Sequence, residues 1–144
     1  MPRAVLLLAA IAVLLAVAAC ESSESGEAAA VVCPEGTEHW AEYRLYFGRN
    51  SGGGEVVSDE EWRIFVRDVV TPNFPEGLTV LDGEGQWQTA MGDVERERSK
   101  VLVVLAPLDG DAPGKLATVA EGYKAHFDQE SVIQTIDSTC TSFY

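Results

Sequence analysis

Apolar and polar positions alternate from Trp40 to Phe47. Tyr43, Leu45 and Phe47 fall on one face and Trp40, Arg44 and Tyr46 on the other, the period-two pattern of a half-buried strand. The period then lengthens. Ser58, with Glu61 three residues later, has the spacing of a capping box, and Trp62, Phe65, Val66 and Val69 recur behind it at helical spacing. Thr71-Pro72 predicts the end of that helix, because a residue before proline avoids helical geometry. Arg49 to Glu55, with three consecutive glycines, reads as the intervening loop.

Leu78 to Asp82 opens a second strand, which continues past Gly83 and Gly85, read as a bulge, through Trp87. A turn at Gly92-Asp93 returns the chain through Val94 to Leu105, whose last part, Val101 to Leu105, is apolar on both faces like a buried central strand. Asp111, as a cap, and Pro113 start a second helix with Leu116, Val119, Tyr123 and Phe127 along one stripe. Ser131 to Asp137 makes the last strand. The order β-α-β-β-α-β predicts an α+β, ferredoxin-like fold, a four-stranded antiparallel sheet with two helices on one face. The uncovered face would then carry Trp40, Arg44 and Tyr46 beside Leu102 and Val104, which is too apolar to be simply wet.

The chain ahead of this domain has a different texture. Arg3 supplies a positive start and Ala4 to Ala19 an apolar run, shorter than the ~20 residues of a stable membrane span. Residues 1–19 therefore read as a signal peptide, and Val17-Ala18-Ala19-Cys20 resembles the lipobox of bacterial lipoproteins, with Val17 where Leu is usual. That resemblance implies cleavage before Cys20, a diacylglycerol on its thiol and acyl chains such as palmitate; two or more chains anchor a protein stably. The alternative is an ordinary secretory leader cut near Ala19 with Cys20 incidental; either leader exports the protein. Residues 20–32, rich in Ser, Glu, Gly and Ala, read as a flexible acidic tether, and residues 33–144 as a single domain. The expected location is the outer face of a bacterial membrane, on the periplasmic side or the cell surface. Glu21 supplies no inner-membrane retention signal in a host with two membranes.

Export puts Cys33 and Cys140 in an oxidising compartment as the two thiols left after lipidation, so a disulfide is expected. In the predicted topology the start of the first strand lies beside the end of the last, which makes that bridge natural. His39 and His126 match no metal-ligand spacing.

Charge and spacing narrow the chemistry. Ten Lys and Arg against 23 Asp and Glu give a formal net charge of -13, which becomes -14 without Arg3 and repels nucleic acid and anionic lipid. Gly83 to Gln88 begins like a dinucleotide fingerprint but lacks its last glycine, and Gly52 to Gly54 have no following Lys-Ser or Lys-Thr. Asp109-Gly110-Asp111 begins like a calcium loop but meets Pro113 and Ala120 at later ligand positions. Ser99 and Lys100, adjacent on a strand, point to opposite faces and make no dyad. Glu95 and Glu97 share one face of the hairpin and Arg96 and Arg98 the other, as on a solvated ribbon.

Leu45 to Arg49, Phe74 to Asp82, Gly85-Gln86-Trp87 and Arg98 to Val103 together resemble the bacterial family called domain of unknown function 3574, over Cys33 to Phe143. The resemblance implies a small exported protein, often a lipoprotein, and supplies no reaction, cofactor or partner. Its motifs single out Tyr46, Arg49, Gln86, Trp87, Arg98 and Lys100. Each has a structural account: Gly48 and Gly77 would permit turns, Trp87 would pack, and the charged groups would pair across strands.

The function expected from these features is that of a non-enzymatic binding module using the open sheet face, with Trp40, Arg44, Tyr46, Arg49, Gln86 and Trp87 as candidate binding residues. Two alternatives stand beside it: a small enzyme of the dimeric α/β-barrel type, with a chamber between two sheets, and a structural envelope component. The expected partners are the membrane, through lipid on Cys20, and a small molecule or an envelope protein, with a homodimer as another way to cover the face. No cofactor, metal or nucleic acid is expected.

Overall fold

The computed structural model of the protein describes residues 31–88 and 91–144. The signal peptide over 1–19, Cys20 and the tether as far as residue 30 lie outside the described residues. The chain runs β1 (Glu38–Gly48), β2 (Asn50–Ser51), β3 (Gly54–Glu55), α1 (Asp59–Phe65), a π-turn (Val66–Val70), α2 (Thr71–Asn73), β4 (Thr79–Gln88), β5 (Val94–Pro107), α3 (Ala112–Phe127) and β6 (Ile133–Thr141). Among the described residues, four long strands form one antiparallel sheet in the order β4-β5-β1-β6. The fold is mixed α+β, with two helical segments set against that sheet.

Alternation builds the core. Ala41, Tyr43, Leu45 and Phe47 of β1 and Leu102, Val104 and Ala106 of β5 are buried with Trp62, Phe65, Val70, Leu116, Val119, Tyr123 and Phe127 of the helices. One face of the sheet therefore meets both helical segments. The Phe47 ring sits 4.7 Å from Tyr123 and 5.1 Å from Trp62, centroid to centroid, and tilted or edge-on pairs of this kind add about 0.5–1.5 kcal/mol each beyond burial. The Tyr123 hydroxyl donates to the Gly48 carbonyl at 2.7 Å, so the polar end of this buried ring is satisfied where β1 stops. Burial pushes its phenol pKa well up.

The capping box forms as expected: the Glu61 amide donates to Ser58 Oγ at 3.2 Å, and the Ser58 amide donates to the Glu61 carboxylate at 2.7 Å. Cys33 and Cys140 are bonded, with Cα atoms 5.4 Å apart. The bridge ties the entry to β1 against the end of β6, where His39 lies opposite Cys140 in the register.

Seven local expectations are corrected. The first helix does not stop at Thr71-Pro72. It widens into the π-turn, the Thr71 amide bonds to the Val66 carbonyl, and Thr71 keeps helical dihedrals. The wider turn absorbs the missing donor and the ring of Pro72, so helix continues to Asn73. The Arg49–Glu55 segment is a tight hairpin, in which Gly52 and Gly53, at φ +61° and +85°, turn β2 back onto β3. β4 has no bulge: its register with β5 is unbroken from Thr79 opposite Val103 to Gln88 opposite Val94. β5 reaches Pro107, and β6 runs from Ile133 to Thr141, later than Ser131–Asp137. Asp111 occupies the N-cap position of α3 without a capping hydrogen bond from its side chain. Leu102 and Val104 belong to the core face; Val101, Val103 and Leu105 share the open face with β1. A strand apolar on both sides cannot reveal its facing by alternation, and only pairing with β1 decides it.

Candidate functional site

The register lays the open face out in rows across the four strands. Leu81, Val101, Tyr46 and Ile133 form one row; Thr79, Val103, Arg44 and Thr135 form the next. Glu42, between Leu105 and Asp137, continues the series toward Trp40. An open depression of about 460 Å³ lies over these rows, lined by Glu42, Arg44, Tyr46, Thr79, Leu81, Val101 and Val103. Its floor is apolar. Its charge is concentrated in the Glu42–Arg44 ion pair, both partners partly exposed. The Glu42 carboxylate paired with it, with Tyr46 as a second partner, holds the Arg44 guanidinium above its ordinary pKa, so it stays a cation under all working conditions.

A second polar cluster lies at the far end of β1, on the helix side. Arg49 is fully buried: its Nε donates to the Val57 carbonyl at 2.5 Å, Nη1 to Asp59 at 3.0 Å and Nη2 to Glu55 at 3.1 Å. Lys100 reaches Asp59 at 2.9 Å and also bonds Asp82, its partner directly opposite on β4. Burial works against the Lys100 charge, and its two carboxylate partners more than offset that, leaving its pKa raised. Arg98 adds contacts to Asp59 and Glu55. The Lys100 hydrogen bond, with Arg49 and Arg98 nearby, holds Asp59 at about 2 against an ordinary 3.8. Glu97 is not a solvated ribbon residue, because its carboxylate accepts from the Arg49 and Asn50 amides at 3.1 and 3.2 Å. A side chain at Gly48 would strike that carboxylate at 2.7 Å, so glycine here permits the close approach. The hairpin leans toward the end of α3, where Ser51 bonds the Asp128 carbonyl and Gln129 bonds the Asn50 carbonyl.

The six candidate binding residues thus separate. Arg44 and Tyr46 line the depression, and Trp40 stands further along the same face. Trp87 shares that facing but lies out on the β4–β5 ribbon, 47 % exposed rather than packed. Gln86, opposite Arg96, points the other way, and Arg49 is locked in the ion cluster. Glu42, Thr79, Leu81, Val101 and Val103 were not among the candidates. Glu42 shares the alternation of Arg44 and was legible; the other four depend on strand pairing. Among the described residues, no group of three or more His, Cys, Asp and Glu is arranged to hold a metal ion.

Fold and site together define a small α+β domain with one sheet face packed under helices and the other left open around a charged pair. The chain belongs to the family described as Protein of unknown function (DUF3574), whose profile matches residues 42–143. No curated protein matches the chain. Among solved structures it is similar to a phage SAM lyase in the apo state, with a TM-score of 0.52 and 21 % identity over 75 % of this chain and 91 % of that one. The phage SAM lyase in complex with S-methyl-5'-thioadenosine gives a TM-score of 0.54 and 17 % identity over 79 % and 95 %. At these identities the likeness is one of fold.

Proposed function

We propose that the protein is an exported, lipid-anchored envelope protein whose domain binds a small molecule on the open face of its sheet. The observation that carries this reading is the placement of the Glu42–Arg44 pair and Tyr46 over an apolar floor of Leu81, Val101 and Val103. Such a surface offers a cation, an anion and an aromatic face to a ligand with an apolar body and polar ends. The strand order β4-β5-β1-β6, with every neighbour antiparallel, supports the ferredoxin-like reading of the topology. The leader and Cys20 support the outer face of a membrane as its location.

A second reading, an enzyme acting on SAM, is favoured by the fold shared with the phage SAM lyase. One experiment addresses both. S-methyl-5'-thioadenosine and SAM are titrated into the protein by calorimetry, and SAM mixtures are followed by chromatography. Binding abolished by Arg44→Ala and by Tyr46→Ala, with unchanged unfolding midpoints, supports the open-face site. Binding that survives both substitutions sinks it. S-methyl-5'-thioadenosine accumulating from SAM in the presence of the protein, and not in its absence, transfers the reading to the enzyme.

A further inference from the structure

The two ends of this domain are chemically unlike. At one end β1 starts, β5 and β6 finish, and the disulfide fixes Cys33 beside Cys140. The described chain begins here, at Val31 and Val32, both exposed. The Trp40 ring packs tilted against Phe143 with centroids 5.2 Å apart, and its indole N–H donates to Glu38. Pro107 lies opposite Trp40 in the register and leads to Leu108, which is 52 % exposed; Phe143 is 71 % exposed. Exposed aliphatic and aromatic side chains are thus gathered where the chain emerges toward Cys20. At the other end are the ion cluster and the β4–β5 ribbon, which continues past the last β1 partner, Gly48 opposite Ser99, with its strands paired only to each other.

We infer that the Trp40–Phe143 end is a lipid-contacting surface, seated on the headgroup layer of the membrane that holds the anchor; this rests on the reading of Cys20 as lipidated. Residues 20–30 span at most about 38 Å when fully extended, so an anchor at Cys20 keeps this end within reach of the bilayer. Trp, Phe and Tyr carry an apolar body into the interfacial layer, and a Trp N–H that already has a partner enters it without a stranded donor. Glu35, Glu38 and Asp109 flank the patch, which suits zwitterionic rather than anionic headgroups. The disulfide makes the seat rigid by joining the tether's exit to β6. The domain then stands upright: thirteen residue steps along β5, from Pro107 to Val94, carry the ribbon tip about 40 Å from the seat.

The test uses the mature protein purified from membranes and reconstituted in phosphatidylcholine vesicles containing a shallow doxyl-labelled phosphatidylcholine, with tryptophan emission as the readout. The lipid should quench wild type and Trp87→Phe and leave Trp40→Phe unquenched, since Trp62 is in the core. The double variant Leu108→Ser, Phe143→Ser should lose most of the Trp40 quenching while keeping its circular dichroism. A lipidated protein whose Trp40 is not quenched, or whose quenching is removed by Trp87→Phe instead, overturns the inference alone. A mature mass lacking the acyl chains overturns the anchoring reading beneath it, and the inference with it.

Discussion

Replacing Arg49 with methionine tests how the polar end of the domain is held. The substitution roughly conserves volume in a fully buried site, so little of its effect is a cavity. What disappears is a fork of three hydrogen bonds, to Val57, Asp59 and Glu55. The carboxylates are partly exposed, 63 % for Asp59 and 37 % for Glu55, and can turn to water, so each lost ion pair costs about 0–1 kcal/mol. The Val57 carbonyl belongs to a fully buried residue and loses its charged donor, which costs about 1–3 kcal/mol. Relief of the guanidinium's own desolvation offsets part of this, leaving a destabilisation of about 2 kcal/mol. For a domain near one hundred residues that lowers the melting temperature by roughly 8 °C. Urea unfolding followed by tryptophan fluorescence reads the change directly, with the slope unaltered. Arg49→Lys should recover only part of the loss, because one ammonium cannot span acceptors set for a planar fork. An Arg49→Met protein within about 0.5 kcal/mol of wild type would refute the reasoning, since that is the range of an ordinary surface change.

Three further variants test the other supports. Asp59 is held near 2 in the folded protein against 3.8 ordinarily, so its contribution is complete above pH 3.8 and fades as pH falls toward 2; Asp59→Asn should flatten that part of the stability–pH profile measured by thermal melts, and an unchanged acid limb contradicts the assignment. Replacing Cys33 and Cys140 together with serine opens a loop spanning 107 residues and should cost about 3–5 kcal/mol in urea unfolding, with reductant destabilising wild type by the same amount and the variant not at all. Tyr123→Phe removes the hydroxyl that bonds the Gly48 carbonyl and should cost about 1–2 kcal/mol by chemical denaturation; a neutral result would mean that the carbonyl finds another donor.

Much of this architecture is legible in the sequence where one physical period dominates. The alternation of Trp40 to Phe47 separates core face from open face correctly because β1 is polar on one side and apolar on the other. Ser58 and Glu61 mark the start of α1 because a capping box is a local device, complete within four residues. The Cys33–Cys140 bridge follows from the antiparallel neighbourhood of the first and last strands. β5 shows the opposite case: Val101 to Leu105 is apolar throughout, and its facing is settled only by opposing Val101 to Tyr46 and Val103 to Arg44. The burial of Arg49 is equally hidden, because it depends on Val57, Glu55 and Asp59 folding back around it. Pro72 misleads for a related reason: the rule against helix before proline is local, whereas Val70 and Phe74 on either side are held in the core.

These contrasts explain why the open face is the better place to look for a ligand than the more heavily charged cluster around Asp59. In the cluster every cation already has a carboxylate partner, and Arg49 and Lys100 are buried with those partners as their compensation. A ligand anion would have to displace several of them in a chain that is already strongly acidic. On the open face the fold asks little of Arg44 and Tyr46, since neither belongs to the core that joins sheet to helices. Period-two geometry makes this separation possible: each strand residue that packs has a neighbour that cannot, so one sheet supplies stability on one side and leaves the other side available for recognition. Substitutions at Arg44 and Tyr46 should therefore change binding with little effect on unfolding, whereas those at Leu45 and Phe47, one residue away, should do the reverse.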